Sequence, residues 1–353
     1  MHIDGCRILE IELSTKCNAA CPQCSRNYYG GITYPGLPLV NLSLKSLQKN
    51  ISNSFLEKLD EIALVGTYGD PCMHTDLISV VNWIQQSTNA SIRISTNGSL
   101  RSKKFWSTLG NLMREQDRVM FCIDGLKDTN HIYRRNTNFN KIIDNLSAFN
   151  NAGGRSIWTF IVFEHNEHQV DAAKKMSNEL SCHGFIHKKT NRFVNYTNEL
   201  VKKSPVMDNN SNIIYWLAPP KNKKYLNVGY QTQTQTQTKE YLKTTKITCM
   251  VLKNKIVSIS GEGYVLPCGF LQDRLYGYES ESHPDRKQLT ELINKAGGFE
   301  AININHNSIE NIITGNFFNN IKESWTNDNR LERCASKCGE DNNFSKTGLE
   351  NII

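Results

Sequence analysis

Residues 17–24 read Cys-Asn-Ala-Ala-Cys-Pro-Gln-Cys and set three thiols on one short loop, directly after the strand-like run Ile8–Leu13. Thiolates spaced Cys-x3-Cys-x2-Cys can ligate three corners of a cubane 4Fe–4S cluster, and the fourth iron is then left open to a small molecule. The alternative is a zinc knuckle or an ordinary ferredoxin-type cluster. Zinc sites usually take four ligands, however, and no further His or Cys follows Cys24 at a standard spacing.

The other cysteines fit the same chemistry. Of eleven in the chain, Cys17, Cys21 and Cys24 form one group and Cys249, Cys268, Cys334 and Cys338 a second, leaving Cys6, Cys72, Cys122 and Cys182 single. The opening Met-His-Ile-Asp-Gly-Cys has no basic segment followed by an apolar stretch, so a secretory signal is not expected. A cytoplasmic location follows, where thiols stay reduced and clustered cysteines mean metal or catalysis rather than a disulfide framework. With 39% apolar and 21% charged residues and no window of about eighteen uninterrupted apolar positions, no membrane span is expected. The net charge of +7 is modest for 353 residues, and Lys221, Lys223 and Lys224 read as a solvated surface rather than a nucleic-acid footprint.

Up to about residue 190, strand-like and helix-like stretches alternate, the pattern of repeated βα units on a parallel sheet. Strands are expected at Ile8–Leu13, Glu61–Val65, Ser91–Ser95, Val119–Ile123, Ile157–Phe163 and Gly184–His187, with helices near 43–58, 75–87, 139–152 and 167–180. Six such units form an α/β partial (β/α)6 barrel whose site lies at the carboxyl ends of the strands. Periodicity is lost over 194–245, where Gln231–Thr238 is a Gln-Thr repeat, and the segment reads as an irregular insertion or linker. Beyond it, Lys255–Ser260 and Tyr264–Leu266 flank Gly261-Glu262-Gly263 as a hairpin, and a helix over 308–325 precedes the last cysteine pair. The division is 1–193, 194–245 and 246–353.

The strand ends carry polar motifs: Gly66-Thr67-Tyr68-Gly69-Asp70-Pro71, Ser95-Thr96-Asn97-Gly98, Phe121-Cys122-Ile123-Asp124-Gly125 with Arg134 downstream, and Glu164-His165-Asn166-Glu167-His168. Together with the cysteine loop, this layout resembles the radical S-adenosylmethionine (SAM) superfamily. The resemblance implies that the open iron binds SAM and that reductive cleavage yields a 5′-deoxyadenosyl radical, which takes a hydrogen atom from the substrate. It implies SAM contacts at Gly69 and Asp70, which match the family's Gly-Gly-Glu-Pro segment, and at Asn97, Asp124, Arg134 and Asn166. Arg134 has the geometry for a paired hydrogen bond to a carboxylate. Cys122 stands where relatives carry Ser, as a SAM contact, a hydrogen-atom donor or simply a buried small residue. His165 and His168 are expected at the surface. Gln23 departs from the family, which usually has an aromatic residue there.

Thirteen residues separate Cys249 from Gly263 and four separate Gly263 from Cys268, a spacing similar to the start of a SPASM/Twitch extension that Cys334 and Cys338 would close. Four thiolates saturate one auxiliary 4Fe–4S cluster and leave no room for a second, so Twitch is the better match. A structural zinc on the same four thiolates is the alternative. The resemblance thus implies two 4Fe–4S clusters, SAM, a reducing protein such as flavodoxin or ferredoxin, and a peptide or protein side chain as substrate for crosslinking, epimerisation or oxidation. A small-molecule dehydrogenase of amino-sugar type is the second reading and a non-catalytic iron–sulfur electron-transfer protein the third.

Overall fold

The computed structural model describes residues 5–190, 192–193, 201–226, 235–276, 284–326 and 330–340. It divides into two compact units, the first made of residues 1–16, 36–92 and 239–342 and the second of residues 17–35, 93–238 and 343–353. The chain is α/β with a mostly parallel sheet.

In the first unit β1 (Ile8–Ile11) pairs in parallel with β2 (Glu61–Leu64) on one side and with β9 (Ile256–Ile259) on the other. β10 (Val265–Leu266) folds back antiparallel on β9. The expected C-terminal hairpin therefore does not stand apart: β9 extends the sheet at β1. The sequence concealed this because pairing partners some 250 residues apart leave no local mark. Ile62, Ala63 and Leu64 are fully buried, as a strand covered on both faces requires. The single helix expected over 43–58 is two, Leu44–Asn50 and Asn53–Leu56. Ile51 is extended, and Ser52 opens the second helix by accepting from the Phe55 N–H at 3.1 Å. The helix over 308–325 likewise breaks into Ile309–Thr314 and Asn316–Ser324 at the extended Gly315.

In the second unit β3 (Ser91–Thr96, which begins in the first), β4 (Arg118–Cys122), β5 (Ser156–Ile161) and β6 (Gly184–Lys188) pair in parallel in that order. Helix Lys103–Leu112, not expected from the sequence, is capped by the Ser102 hydroxyl and packs on Phe139–Asn151, itself capped by Asn138. Trp106, Phe121 and Phe149 meet there as a fully buried aromatic core. Within 194–245 the structure replaces an irregular insertion by the antiparallel pair β7 (Ser204–Met207) and β8 (Ile213–Leu217) and by helix Gln235–Thr244, which takes up the second half of the Gln-Thr repeat. Gln231–Thr234 lie outside the described residues. Among the described residues no helix is long and apolar enough to cross a membrane.

Candidate active site

Chain direction sets the site up: in a parallel sheet every loop leaving a strand's carboxyl end opens on the same side. In the second unit Asn97 follows β3, Asp124 follows β4 and Asn166 follows β5. No disulfide joins any of the eleven cysteines.

In the second unit Cys21 is buried in an apolar cluster with Ala19, Tyr133, Phe163, Phe193, Val206 and Leu217, and Cys17 and Cys24 pack at its border. The loop is tied down at Ala20, whose N–H donates to Arg135 O at 3.0 Å, and turns through Cys24 N–H to Cys21 O at 3.1 Å. Two of the thiols meet side-chain donors. Arg134 Nη1 lies 3.6 Å from Cys21 Sγ, and Asn97 Nδ2 lies 3.8 Å from Cys17 Sγ while donating to Asn18 Oδ1 at 2.9 Å. Burial pushes the Cys21 and Cys24 thiols up, and the Arg134 charge pulls Cys21 back toward the thiolate.

Arg134 is held from behind. Its Nε donates to Asp124 Oδ2 at 2.6 Å, and Asp124 Oδ1 accepts from the Ile161 N–H at 2.6 Å. Asn166 is wholly buried, with its amide nitrogen donating to Asp124 O and Ile161 O and its oxygen accepting from the Phe163 N–H. Its polar atoms are thus spent inside the protein, framing the Asp124 corner. Cys122, on the same side of β4 as Asp124, has its thiol 3.9 Å from Met120 O. His168 is exposed as expected, but His165 is half-buried, stacks on Phe163 at 5.3 Å and is lowered by burial to about 4.

Gln23 and Arg192 make a feature the sequence did not announce. Gln23 Nε2 donates to Arg192 O at 3.0 Å, and the Arg192 guanidinium returns to Gln23 O and to the Tyr133 hydroxyl. Gln23 Oε1 is buried with no hydrogen-bond partner among the described residues, an acceptor that a bound group could satisfy.

In the first unit the segment after β2 is clamped by Glu12. One carboxylate oxygen accepts from the Tyr68 and Gly69 N–H groups at 2.6 and 3.0 Å, the other from Gly261 N–H at 3.4 Å and from the Gln272 amide. A Cβ on Gly69 would lie 1.7 Å from Ser14 O, so only glycine allows this approach. Asp70 is buried and caps the turn that follows, accepting from the Cys72 N–H at 2.9 Å. Glu12 escaped the sequence reading because Glu10 and Glu12 alternate as a solvent-facing edge would, yet Glu12 is 2% exposed.

Burial, aided by Glu262, raises Glu12 to about 7 from the usual 4.5. The folded state therefore prefers the protonated carboxyl. That preference contributes fully below pH 4.5 and is lost as pH rises to about 7. The unfolding free energy of the wild type relative to Glu12→Gln should fall by about 3 kcal/mol between those limits, at 1.36 kcal/mol per unit. Parallel urea titrations at pH 4.5 and pH 8 check this, and a difference that does not change with pH would refute it.

The second cysteine group also lies in the first unit. Cys249, Cys268, Cys334 and Cys338 line one small pocket with Val251, Pro267, Phe270, Leu271, Ile321, Trp325, Arg333 and Lys337. Cys334 and Cys338 are one turn apart on helix Glu332–Cys338 and so share a face, while Cys249 and Cys268 precede two short helices. A hydrogen bond from Cys338 lowers the Cys249 thiol, and burial pushes Cys268 up to about 12. Among the described residues the walls bring no carboxylate but two cations. Arg333 pairs with Asp273 at 2.9 Å, and burial lowers Lys337 to about 8. Such walls suit a thiolate-bound group of net negative charge. Among the described residues no three His, Cys, Asp or Glu side chains converge as they would on a single metal ion.

The Radical SAM superfamily model matches residues 11–176. This segment is a radical SAM domain. Native anSMEcpe with bound AdoMet (SAM) superposes with a TM-score of 0.51 at 14% identity, over 98% of this chain and 95% of that one. Native anSMEcpe with bound AdoMet and Cp18Cys peptide gives 0.52 at 13% identity, over 97% and 91%. Streptococcus suis SuiB gives 0.49 at 13% identity, covering 75% of this chain and 60% of its own, so the chain spans about 60% of SuiB's length. At such identities the likeness to anSMEcpe carries the fold alone. No curated protein matches the chain. A radical SAM domain implies a 4Fe–4S cluster and SAM, and the fit lies in the donor set: three loop thiols, two of them facing cationic or amide donors.

Proposed function

We propose that the chain is a radical SAM enzyme that holds a 4Fe–4S cluster on Cys17, Cys21 and Cys24, binds SAM at its open iron and modifies a peptide or protein side chain. When bound, the cluster and SAM supply a 5′-deoxyadenosyl radical able to abstract an unactivated hydrogen atom. The observation that carries the reading is the loop itself, three thiols in a mostly apolar setting with Arg134 and Asn97 turned toward their sulfurs. Gly69, Asp70, Asn97 and Arg134 are the proposed SAM contacts. Asp124 and Asn166 fix Arg134 and its loop, and Cys122 is the proposed hydrogen donor or a further SAM contact. Residues 1–193 form the proposed core, 194–245 the insertion and 246–353 a Twitch-like part in which Cys249, Cys268, Cys334 and Cys338 hold an auxiliary 4Fe–4S cluster. A flavodoxin- or ferredoxin-type reductant in the cytoplasm completes the reading.

The peptide assignment draws support from native anSMEcpe with bound AdoMet and Cp18Cys peptide. Reconstituted anaerobically and reduced with dithionite in the presence of SAM, the protein is expected to form 5′-deoxyadenosine and to hold about eight irons per chain. The variant lacking Cys17, Cys21 and Cys24 should keep about four irons and form none of the nucleoside. Zinc without iron in that variant would overturn the auxiliary cluster, and no deoxyadenosine from the wild type would overturn the enzyme.

A further inference from the structure

Soluble surfaces scatter their exposed apolar residues, so concentration in one place is informative. Five large apolar side chains stand exposed among the described residues. Four of them, Ile32, Ile213, Ile214 and Trp216, belong to the β7–β8 hairpin or to the loop packed on it. The loop's attachment is direct: Met207 N–H donates to Tyr29 O at 2.9 Å, and Arg135 Nη1 bridges Gly30 O and Met207 O at 2.6 and 2.7 Å. Trp216, the largest of the four, is 52% exposed.

The hairpin's other face is fixed. Val206 and Leu217 are buried in the cluster that contains Cys21, and the Tyr215 hydroxyl donates to Ile132 O at 2.8 Å. The hairpin is thus a preformed platform whose inner side is part of the cysteine loop's apolar surroundings, which keeps the ordering cost of binding low. Pro205 lies opposite Trp216 and has no N–H to give, so the ladder bonds fall at Ser204–Leu217 and Val206–Tyr215. The backbone N–H and C=O of Trp216 then face outward along β8, whose second edge has no strand partner among the described residues.

Charge narrows the occupant. Lys202 and Lys203 enter β7 and Lys221, Lys223 and Lys224 follow β8, all exposed. Because Ser204 pairs with Leu217, both groups leave the hairpin at the same end. Lys221 is paired with Glu164 and Lys224 sits over Tyr225, while Lys202, Lys203 and Lys223 have no ion pair among the described residues.

We propose that the outer face and open edge of β8 bind an extended acidic, apolar segment of the peptide substrate as an added strand, with its apolar side chains on Trp216 and Ile214 and its carboxylates toward the lysine end. This rests on the peptide reading above and names where that peptide is held.

The test uses the full-length protein and a fluorescein-labelled octapeptide of alternating Val and Glu, followed by anisotropy. The wild type should bind it, and bind the Val-Lys counterpart at least about tenfold more weakly. Trp216→Ser with Ile214→Ser should weaken the acidic peptide at least about tenfold, as should N-methylation of alternate peptide bonds, which removes strand pairing. Lys202→Glu with Lys203→Glu leaves the apolar face intact and should narrow or invert the preference for Glu over Lys. Equal affinity of wild type and both variants, or no binding by the wild type, overturns the proposal. A wild-type dimer that the Trp216 variant dissociates would also overturn it, by giving the face to a second copy of the chain. Deoxyadenosine formation is read separately: nucleoside without peptide binding sinks this inference alone, and binding without nucleoside sinks only the radical SAM reading.

Discussion

Replacing Cys21 by alanine is expected to bring 5′-deoxyadenosine formation to background and to remove the iron of the first site, leaving any metal in the second cavity unchanged. The loop offers three thiols, and Cys21 sits among the apolar side chains of Ala19, Tyr133, Phe163 and Phe193, while the nearby Asp124 carboxylate is engaged by Arg134 and the Ile161 N–H. A cluster with one iron already reserved for a small molecule cannot lose a second protein ligand and hold its cubane. Cys182→Ser is the control. Its half-buried thiol, 3.9 Å from Asn150 Nδ2, belongs to neither cysteine group, so iron content and nucleoside formation should match the wild type. Iron analysis alongside chromatographic detection of the nucleoside checks both variants. Wild-type nucleoside yield from Cys21→Ala would remove the site from the cysteine loop.

What the sequence made legible follows from how locally each feature is encoded. The cysteine loop, the six strands leading through β6 and the four-cysteine set were readable because their marks are short: fixed thiol spacing, β-branched runs and alternation of strand with helix. Features set by distant partners were not. β9 pairs with β1 although about 250 residues lie between them, and Glu12 looks like one tooth of a solvent-facing edge until Tyr68, Gly69, Gly261 and Gln272 close over it. The β7–β8 hairpin hid for another reason. Its turn, Asp208 to Asn212, is built by the Asp208 carboxylate accepting from Asn210 and Asn212 N–H groups, and carries no Asn-Gly or Asp-Gly signal. At the site, the sequence placed Asp124 and Asn166 at strand ends but could not show that they also hydrogen-bond Arg134 and the backbone around it.

That role gives the second large effect. Asp124 is wholly buried and Arg134 nearly so, with side-chain exposures of 0% and 16%, and they meet at 2.6 Å. Removing one member of a buried pair strands the other's charge away from water, and here the Ile161 N–H loses its acceptor as well. Asp124→Ala should therefore cost about 3 kcal/mol of unfolding free energy in denaturant titrations, where an exposed pair would cost under about 1 kcal/mol. Asp124→Ala combined with Arg134→Leu should recover part of that loss, because the stranded charge goes with its partner, and the resulting cycle reads the coupling directly. The site would move with it. Arg134 freed from Asp124 loses the hydrogen bond that fixes its guanidinium beside Cys21, so the loop should hold its iron less tightly in the single variant even where the protein stays folded. A loss under about 1 kcal/mol with iron retention unchanged would show that Asp124 is not what holds Arg134 against the cysteine loop.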